Sequence, residues 1–375
     1  MLRYCLFFFV NLGAATCFAV GPSDVAKANQ SLWPTKIDSV QSYNMASRAE
    51  MLIFLKEYSN LSSAEIKPEF LNIKHVNTES IESWKIRTAK YWFSNFLDAA
   101  KDCTDGKTLG CGFKGSNFAE LLIYANKFAS SLPKEYADWL EMSSIFFKSY
   151  IHEQARLAAL FPNPTSEILP LSDSEVIGDQ FASGEFLLTF DDGPTPKNGD
   201  TEKYTELLRK ENISAFFFVL GNALTARLTK TTAAEIGNIY YRQCLDSHGF
   251  EHKSHQKWTD WRLSLDQTKV AVKLIDINSK VAFRPPYGQR SIELIAKQKM
   301  DSGSPVVLWN IDSQDWHSKI NANEVGDRVQ KLMLIWRRGI ILFHDVHSKA
   351  LTAVPKLITF AKSSHLKWVD CHSVK

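Results

Sequence analysis

Phe186-Leu187-Leu188-Thr189-Phe190-Asp191-Asp192-Gly193-Pro194 is an apolar, β-rich run that stops in two adjacent carboxylates and a Gly-Pro turn. A short apolar run bounded by turn residues reads as a strand buried on both faces. Comparable runs recur at 215–220, 240–245, 281–283, 306–309, 340–343 and 366–369, mostly followed by longer helix-like stretches. Strands alternating with helical segments indicate βα units and a parallel sheet. Seven strands in about half the chain predict an α/β architecture, a closed or nearly closed barrel, with its chemistry at the C-terminal strand ends.

The region before this run has a different character. Residues 20–175 read as helical. Ile81, Trp84, Tyr91, Trp92, Phe96 and Ala99 fit one face of a 3.6-residue period, with Thr88 filling the gap on that face. Residues 118–129 and 136–160 also read as helices, separated by a break at Ser131-Leu132-Pro133. Phe161-Pro162-Asn163-Pro164 ends the last helix, and the segment up to Gly184 reads as a linker. The chain thus divides into residues 1–19, a helical region of unknown role at 20–175, and a chemistry-bearing domain at 176–375. No constellation of reactive side chains stands out in the helical region.

Residues 1–19 read as a secretory signal: Arg3 is the positive flank, Leu6 to Val10 begin an apolar run, and Cys17-Phe18-Ala19 offers a cleavage site. A membrane anchor is the alternative, but the run is short and broken by Asn11. Export predicts a secreted or periplasmic protein in which disulfides persist. Of the six cysteines, Cys5 and Cys17 leave with the signal. Cys103 and Cys111 flank a turn-rich segment and are candidates for a small loop. Cys244 and Cys371 would then tie down the C-terminus, although four free thiols and the other two pairings stay open.

Composition excludes other classes. Lys and Arg number 44 against 41 Asp and Glu, a net +3 that argues against a nucleic-acid binder. Beyond the leader, no apolar stretch is long enough for an integral span.

Ionisable residues gather at the strand ends. They are Asp191-Asp192 after the first run, Ser247-His248-Gly249-Phe250-Glu251-His252 after the third, and Arg284-Pro285-Pro286-Tyr287-Gly288 after the fourth. Asp312-Ser313-Gln314-Asp315-Trp316 follows the fifth and Leu342-Phe343-His344-Asp345 the sixth. Eight of the ten histidines lie from residue 248 onward. Asp192, His248 and His252 form an Asp-His-His set suited to a divalent metal, above all Zn²⁺, with positions open for water and substrate. The i, i+4 spacing of the histidines predicts one face of a helical turn. His252 with His255 is a competing pair.

These five blocks, in this order, resemble the five motifs of the polysaccharide deacetylases, the NodB-homology domain of carbohydrate esterase family four. The resemblance covers about residues 185–375 and implies a distorted (β/α)7 barrel behind the helical N-terminal region. It implies Asp191 as general base, paired with and kept ionised by Arg284, and His344 as general acid oriented by Asp315. It implies the Tyr287 backbone N–H as oxyanion donor, and Trp316 and Leu342 around the acetyl methyl. The implied partner is an N-acetylated polysaccharide: peptidoglycan, chitin-like oligomers or poly-N-acetylglucosamine. An O-acetyl esterase and an inactive glycan-binding protein are the alternatives. Singly, each block has a plainer reading, such as an ordinary turn for Asp191 to Pro194 or a surface ion pair for Arg284. Asp345 reads as structural and His347 as solvated. Trp258 and Trp261 read as packing a helix on the barrel. Two positions depart from the family pattern: Gly249 stands where Ser or Thr is usual, and Ser247 where Asn is common.

Overall fold

Among the residues described by the computed structural model (22, 24–61, 66, 71, 73, 75–161 and 169–374), four α-helices precede the first strand. They are α1 (Val40–Ser59), α2 (Thr78–Ala99), α3 (Phe118–Ser130) and α4 (Ala137–Leu160). The leader expected at residues 1–19 lies outside the described residues, as does most of the Pro-rich stop after α4. Then follow β1 (Glu175–Val176), β2 (Glu185–Asp191), α5 (Asp200–Lys210), β3 (Phe216–Val219), α6 (Gly221–Leu228), α7 (Ala233–Ile239) and β4 (Cys244–Ser247). The chain continues through α8 (Trp261–Lys273), α9 (Ile292–Ser302), β5 (Val306–Val307), β6 (Ile311–Asp312) and α10 (Ala322–Trp336). It ends with β7 (Gly339–His344), α11 (Ala350–Ser363) and β8 (Lys367–Trp368).

All pairings among the described residues are parallel, and with the covalent step from β5 to β6 they run around a ring. β2 pairs with β3 on one side and β7 on the other, and β3 pairs with β4. Next to β4 a single residue, Phe283, bridges Ser247 to Val306. β5 lies beside Phe283, and β6, reached through a bend at Asn310, pairs with β7. β1 adds to β5, and β8 to the start of β2. Side chains alternate along each strand. Leu187, Phe216, Phe218, Ile340 and Leu342 fill the interior. Phe186, Leu188, Phe190, Ile341 and Phe343 pack outward against helices. The same period carries Thr189, Asp191 and His344 to the interior face, the last two at the barrel mouth.

Three expectations need correction. The run 281–283 supplies one bridging residue, not a strand. The strand expected at 240–245 begins only at Cys244, because Tyr240 caps α7 and Arg242 turns the chain at φ 67°. The expected linker holds β1, which Glu175 anchors by pairing with the buried Arg290 and accepting from the Leu171 and Ser172 N–H groups. A two-residue strand fixed by a distant arginine has no periodic signal to read. The Cys103–Cys111 and Cys244–Cys371 disulfides both form, which removes the free-thiol alternative.

The helical region is built into the barrel. The last four carbonyls of a helix lack intrahelical donors. In α10 the Arg337 N–H reaches Met333 O, and side chains from the other half of the chain reach all four. Tyr43 Oη donates to Met333 O at 2.9 Å, Ser47 Oγ to Leu334 O, and Asn95 Nδ2 to Ile335 O at 3.2 Å and Trp336 O at 3.0 Å. Lys331 of α10 is buried on Glu50 at 2.6 Å, and Trp139 Nε1 donates to the same carboxylate. One apolar cluster runs from α1 through α10 to the outer face of β2 and β7. The buried charges Arg48, Glu50 and Glu57 hide α1 from a hydrophobic-periodicity reading. Among the described residues, no helix is long and apolar enough to cross a membrane.

Deleting everything before residue 170 would uncover this face of α10 and leave the Leu334, Ile335 and Trp336 carbonyls without the donors that now reach them. The expected outcome is a fragment that aggregates or loses cooperative melting. A soluble fragment with a sharp thermal transition would show that the barrel folds alone.

Candidate active site

Asp191 is the last residue of β2 and pairs in register with His344, the last of β7. Both therefore enter the barrel mouth side by side. Asp192 follows at φ 77°, a left-handed conformation that Asp tolerates better than most residues. Successive strand side chains normally point apart; this turn brings both carboxylates to one imidazole. His248 Nε2 lies 3.8 Å from Asp191 Oδ2 and 3.5 Å from Asp192 Oδ1.

Arg284, fully buried, organises the floor. Its guanidinium donates to Asp191 Oδ1 at 2.9 Å, Thr189 Oγ1 at 2.7 Å, Val307 O at 3.1 Å and Leu308 O at 2.8 Å. Its own carbonyl accepts from His248 Nδ1 at 2.8 Å. That bond places the His248 lone pair on Nε2, facing the two aspartates. Burial holds the His248 imidazole well below its usual pKa, which keeps it neutral. Burial also pushes the Asp191 carboxyl up to about 6, against the pull of Arg284 and His344. Arg284 therefore pairs with Asp191 as expected but does not outweigh its burial.

His252 Nε2 stands 3.6 Å from Asp192 Oδ1. The ligand atoms of Asp192, His248 and His252 all lie within 4.8 Å of one another. Among the described residues no hydrogen-bond donor reaches the buried Asp192 Oδ1. A buried carboxylate oxygen without a donor, faced by two imidazole nitrogens, fits a cation. The expected helical turn is absent: 248–252 is an irregular loop with Gly249 at φ 84°. Its carbonyls at Gly249 and Phe250 accept from the Gly221 and Asn222 N–H groups at 2.9 Å each, in place of intrahelical bonds. His255 points elsewhere, with Nε2 on Ser264 Oγ at 2.9 Å. The competing His252–His255 pair is thus not formed.

On the opposite side, His344 Nδ1 donates to Asp315 Oδ1 at 2.8 Å, and its backbone N–H donates to Asp315 Oδ2 at 2.9 Å. Burial alone would lower the His344 pKa. The charge and hydrogen bond of Asp315 overcome it and raise the imidazole to about 10. Tyr287 adopts φ 60° in a short 3-10 turn, half exposed, its ring 4.5 Å from that of His252. Trp316 is at the rim beside His317. Leu342 is buried in the barrel interior, one inward position below His344.

Asp345 turns away beneath the Asp192–Gly193 turn and accepts from Thr201 Oγ1 at 2.6 Å, a structural role as expected. Trp261 packs in the core as expected, whereas Trp258 is half-buried with the Lys253 ammonium 4.7 Å from its ring centre. Sequence reasoning missed Thr189, which accepts from Arg284 and donates to Ile341 O. Its place two residues before Asp191, on the same strand face, was the available signal.

A parallel α/β barrel carrying a carboxylate–imidazole metal-type cluster at its strand ends is the frame of a hydrolase. Residues 179–301 match the family model described as polysaccharide deacetylase. The chain is 30% identical over 208 residues to a peptidoglycan-N-acetylmuramic acid deacetylase of Bacillus subtilis, covering 52% of this chain and 39% of that protein. It is 28% identical over 187 residues to a peptidoglycan-N-acetylglucosamine deacetylase of Listeria monocytogenes, covering 48% and 37%. It is 26% identical over 189 residues to a bifunctional xylanase/xylan deacetylase of Cellvibrio japonicus, covering 49% and 26%. The chain thus spans well under half the length of these curated relatives. A solved peptidoglycan N-acetylglucosamine deacetylase superposes with a TM-score of 0.48 at 22% identity, over 55% of this chain and 96% of that one.

The cluster generates a direct expectation. The full chain incubated with Zn²⁺ and desalted should retain stoichiometric metal, and His248→Ala should retain none, as measured by atomic emission. Equal metal in both would exclude His248 as a ligand.

Proposed function

We propose that this chain is an exported, metal-dependent N-deacetylase that hydrolyses acetamide groups of N-acetylhexosamine glycans to free amine and acetate. The observation that carries this reading is the pairing of Asp191 with Arg284 and of His344 with Asp315 on register-matched strand ends, either side of Asp192, His248 and His252. Peptidoglycan is the favoured substrate, supported by the relatives named above. Two disulfides and the leader-like residues 1–19 support a secreted or periplasmic site.

Asp192, His248 and His252 would hold the cation, and one carboxylate with two imidazoles suits Zn²⁺. When bound, it would supply polarisation of the acetyl carbonyl and a more acidic water. Asp191, as general base, takes a proton from the attacking water as the C–O bond forms. Arg284 keeps that carboxylate aimed at the mouth. The Tyr287 backbone N–H faces the carbonyl oxygen as negative charge develops there. His344 gives its Nε2 proton to the nitrogen as the C–N bond breaks, releasing amine and acetate. Asp315 holds Nδ1–H and so keeps the imidazole protonated and turned toward the leaving group. Leu342 and Trp316 bound the space for the acetyl methyl.

A second reading, an O-acetyl esterase on a decorated polysaccharide, is favoured by the similarity to a xylan deacetylase. An ester leaving group needs less protonation than an amine. His344→Ala should therefore abolish N-deacetylation but only weaken O-deacetylation.

The deciding measurement is acetate release by the zinc-loaded chain from peptidoglycan and from N-acetylglucosamine oligomers, with a chelated control. Chelator-sensitive acetate is expected from at least one, with Asp191→Asn inactive at nearly unchanged metal content. No acetate from either glycan in the metal-loaded protein would refute the N-deacetylase reading.

The acid group sets the alkaline limb. His344 acts in its protonated form, and its pKa is raised to about 10, so activity should persist to about pH 10 and fall above it. Asp315→Asn removes the charge that raises this pKa. Its alkaline limb should move to lower pH along with a drop in kcat; an unmoved limb would separate Asp315 from the acid.

A further inference from the structure

We infer that His255 and Ser264 are positioning residues for the metal loop, holding its backbone from α8 and the segment just before it. The inference rests on the metal reading of Asp192, His248 and His252. The loop 248–252 has no helix or strand of its own, yet it must present two imidazoles to one carboxylate. Its carbonyls are held from α6, as described. Its N–H groups are held from two other sides. Gly249 N–H donates to Ser247 Oγ at 3.1 Å, and Phe250 N–H to Ser264 Oγ at 2.7 Å.

Ser264 does not act alone. It is buried, and its hydroxyl lies 2.9 Å from the Nε2 of His255, itself buried. His255 Nδ1 lies 2.8 Å from Lys253 O. Burial lowers the His255 pKa to about 4, and for the neutral ring only one assignment of protons satisfies every bond. Nδ1–H donates to Lys253 O, Nε2 accepts from the Ser264 hydroxyl, and Ser264 Oγ accepts from Phe250 N–H. The chain of bonds therefore runs one way, Phe250 to Ser264 to His255 to Lys253. It ties the middle of the loop to the residue just after His252. A backbone segment pinned on both sides of Glu251 and His252 has little freedom to swing His252 off the cluster.

The same arrangement accounts for Gly249. A Cβ there would stand 2.4 Å from His255 Cε1, and the backbone is at φ 84°. The imidazole of His255 occupies the space that any side chain at 249 would need. The glycine at 249 and the histidine at 255 are thus one feature: the imidazole fits only where position 249 carries no side chain. Ring contacts with Phe283, centroids 5.2 Å apart, seat His255 against the barrel residue that bridges β4 to β5.

The test is zinc affinity of the full chain, read by competition with a chromophoric chelator. Outer residues that orient metal ligands typically contribute about 10–100-fold in affinity. Ser264→Ala, which removes only a hydroxyl, and His255→Ala should each weaken zinc binding at least tenfold. The metal-free melting temperature of Ser264→Ala should stay close to that of the unsubstituted chain. His255→Gln, whose amide oxygen can accept from Ser264, should recover most of the affinity. Unchanged zinc affinity in Ser264→Ala overturns the inference, even if His255→Ala fails to fold. A His255→Gln variant no better than His255→Ala does the same. Absence of zinc binding by the unsubstituted chain would overturn the metal reading itself, and this inference with it.

Discussion

The buried guanidinium of Arg284 is the constraint that holds the Asp191 and His248 side of the site. It touches four groups from two strands, and its carbonyl orients His248. A charge in that position is tolerable only because each donor has an acceptor and Asp191 offsets the charge. Removing one partner of such a pair typically costs about 3–5 kcal/mol. The arrangement also explains why the ring of strands narrows to a single residue at Phe283. Arg284 follows directly, and its side chain bonds the Val307 and Leu308 carbonyls, fixing the β5 passage through a side chain where backbone pairing is thin.

Opposed environments divide the labour between Asp191 and His344. Both are buried, and burial favours the neutral form of each. Asp191 stays only modestly raised because Arg284 and His344 are close. His344 is driven far the other way by Asp315. Two titratable groups on register-matched residues thus end with a carboxyl raised to about 6 and an imidazole raised to about 10. That is the electrostatic pattern expected of an acid–base couple.

The N-terminal helices take part in the same structure by a different route. α10 lies against the barrel between β6 and β7, and its C-terminal carbonyls are capped by Tyr43, Ser47 and Asn95. Arg337, which ends α10 in a left-handed conformation, donates to Asn44, Ser47 and Asp98. The next residues enter β7 and lead to His344. The helical region therefore supports the strand that carries His344, although among the described residues none of its side chains belongs to the cluster at the barrel mouth.

Much of this was legible without coordinates. Alternating βα runs gave the barrel, since a strand buried on both faces must be continuously apolar. Asp191, Asp192, His248, His252, Arg284, Asp315 and His344 were legible as a set because the chemistry sits at strand ends. The short strands at Glu175–Val176 and Ile311–Asp312 were not legible, because two residues carry no period and their partners lie far away in sequence. The helix Val40–Ser59 was masked by charges whose counter-charges, Asp102 and Lys331, come from elsewhere. The sequence by itself determined the succession of most strands and helices, the ionisable side chains at the strand ends and the cysteines available to pair. Only the tertiary structure decided that Asp192 turns back toward His248, that His255 supports the loop and does not join the cluster, and that the helices cap α10. Each of these depends on a contact between residues remote in the chain or on a positive φ, and neither leaves a periodic trace in the sequence.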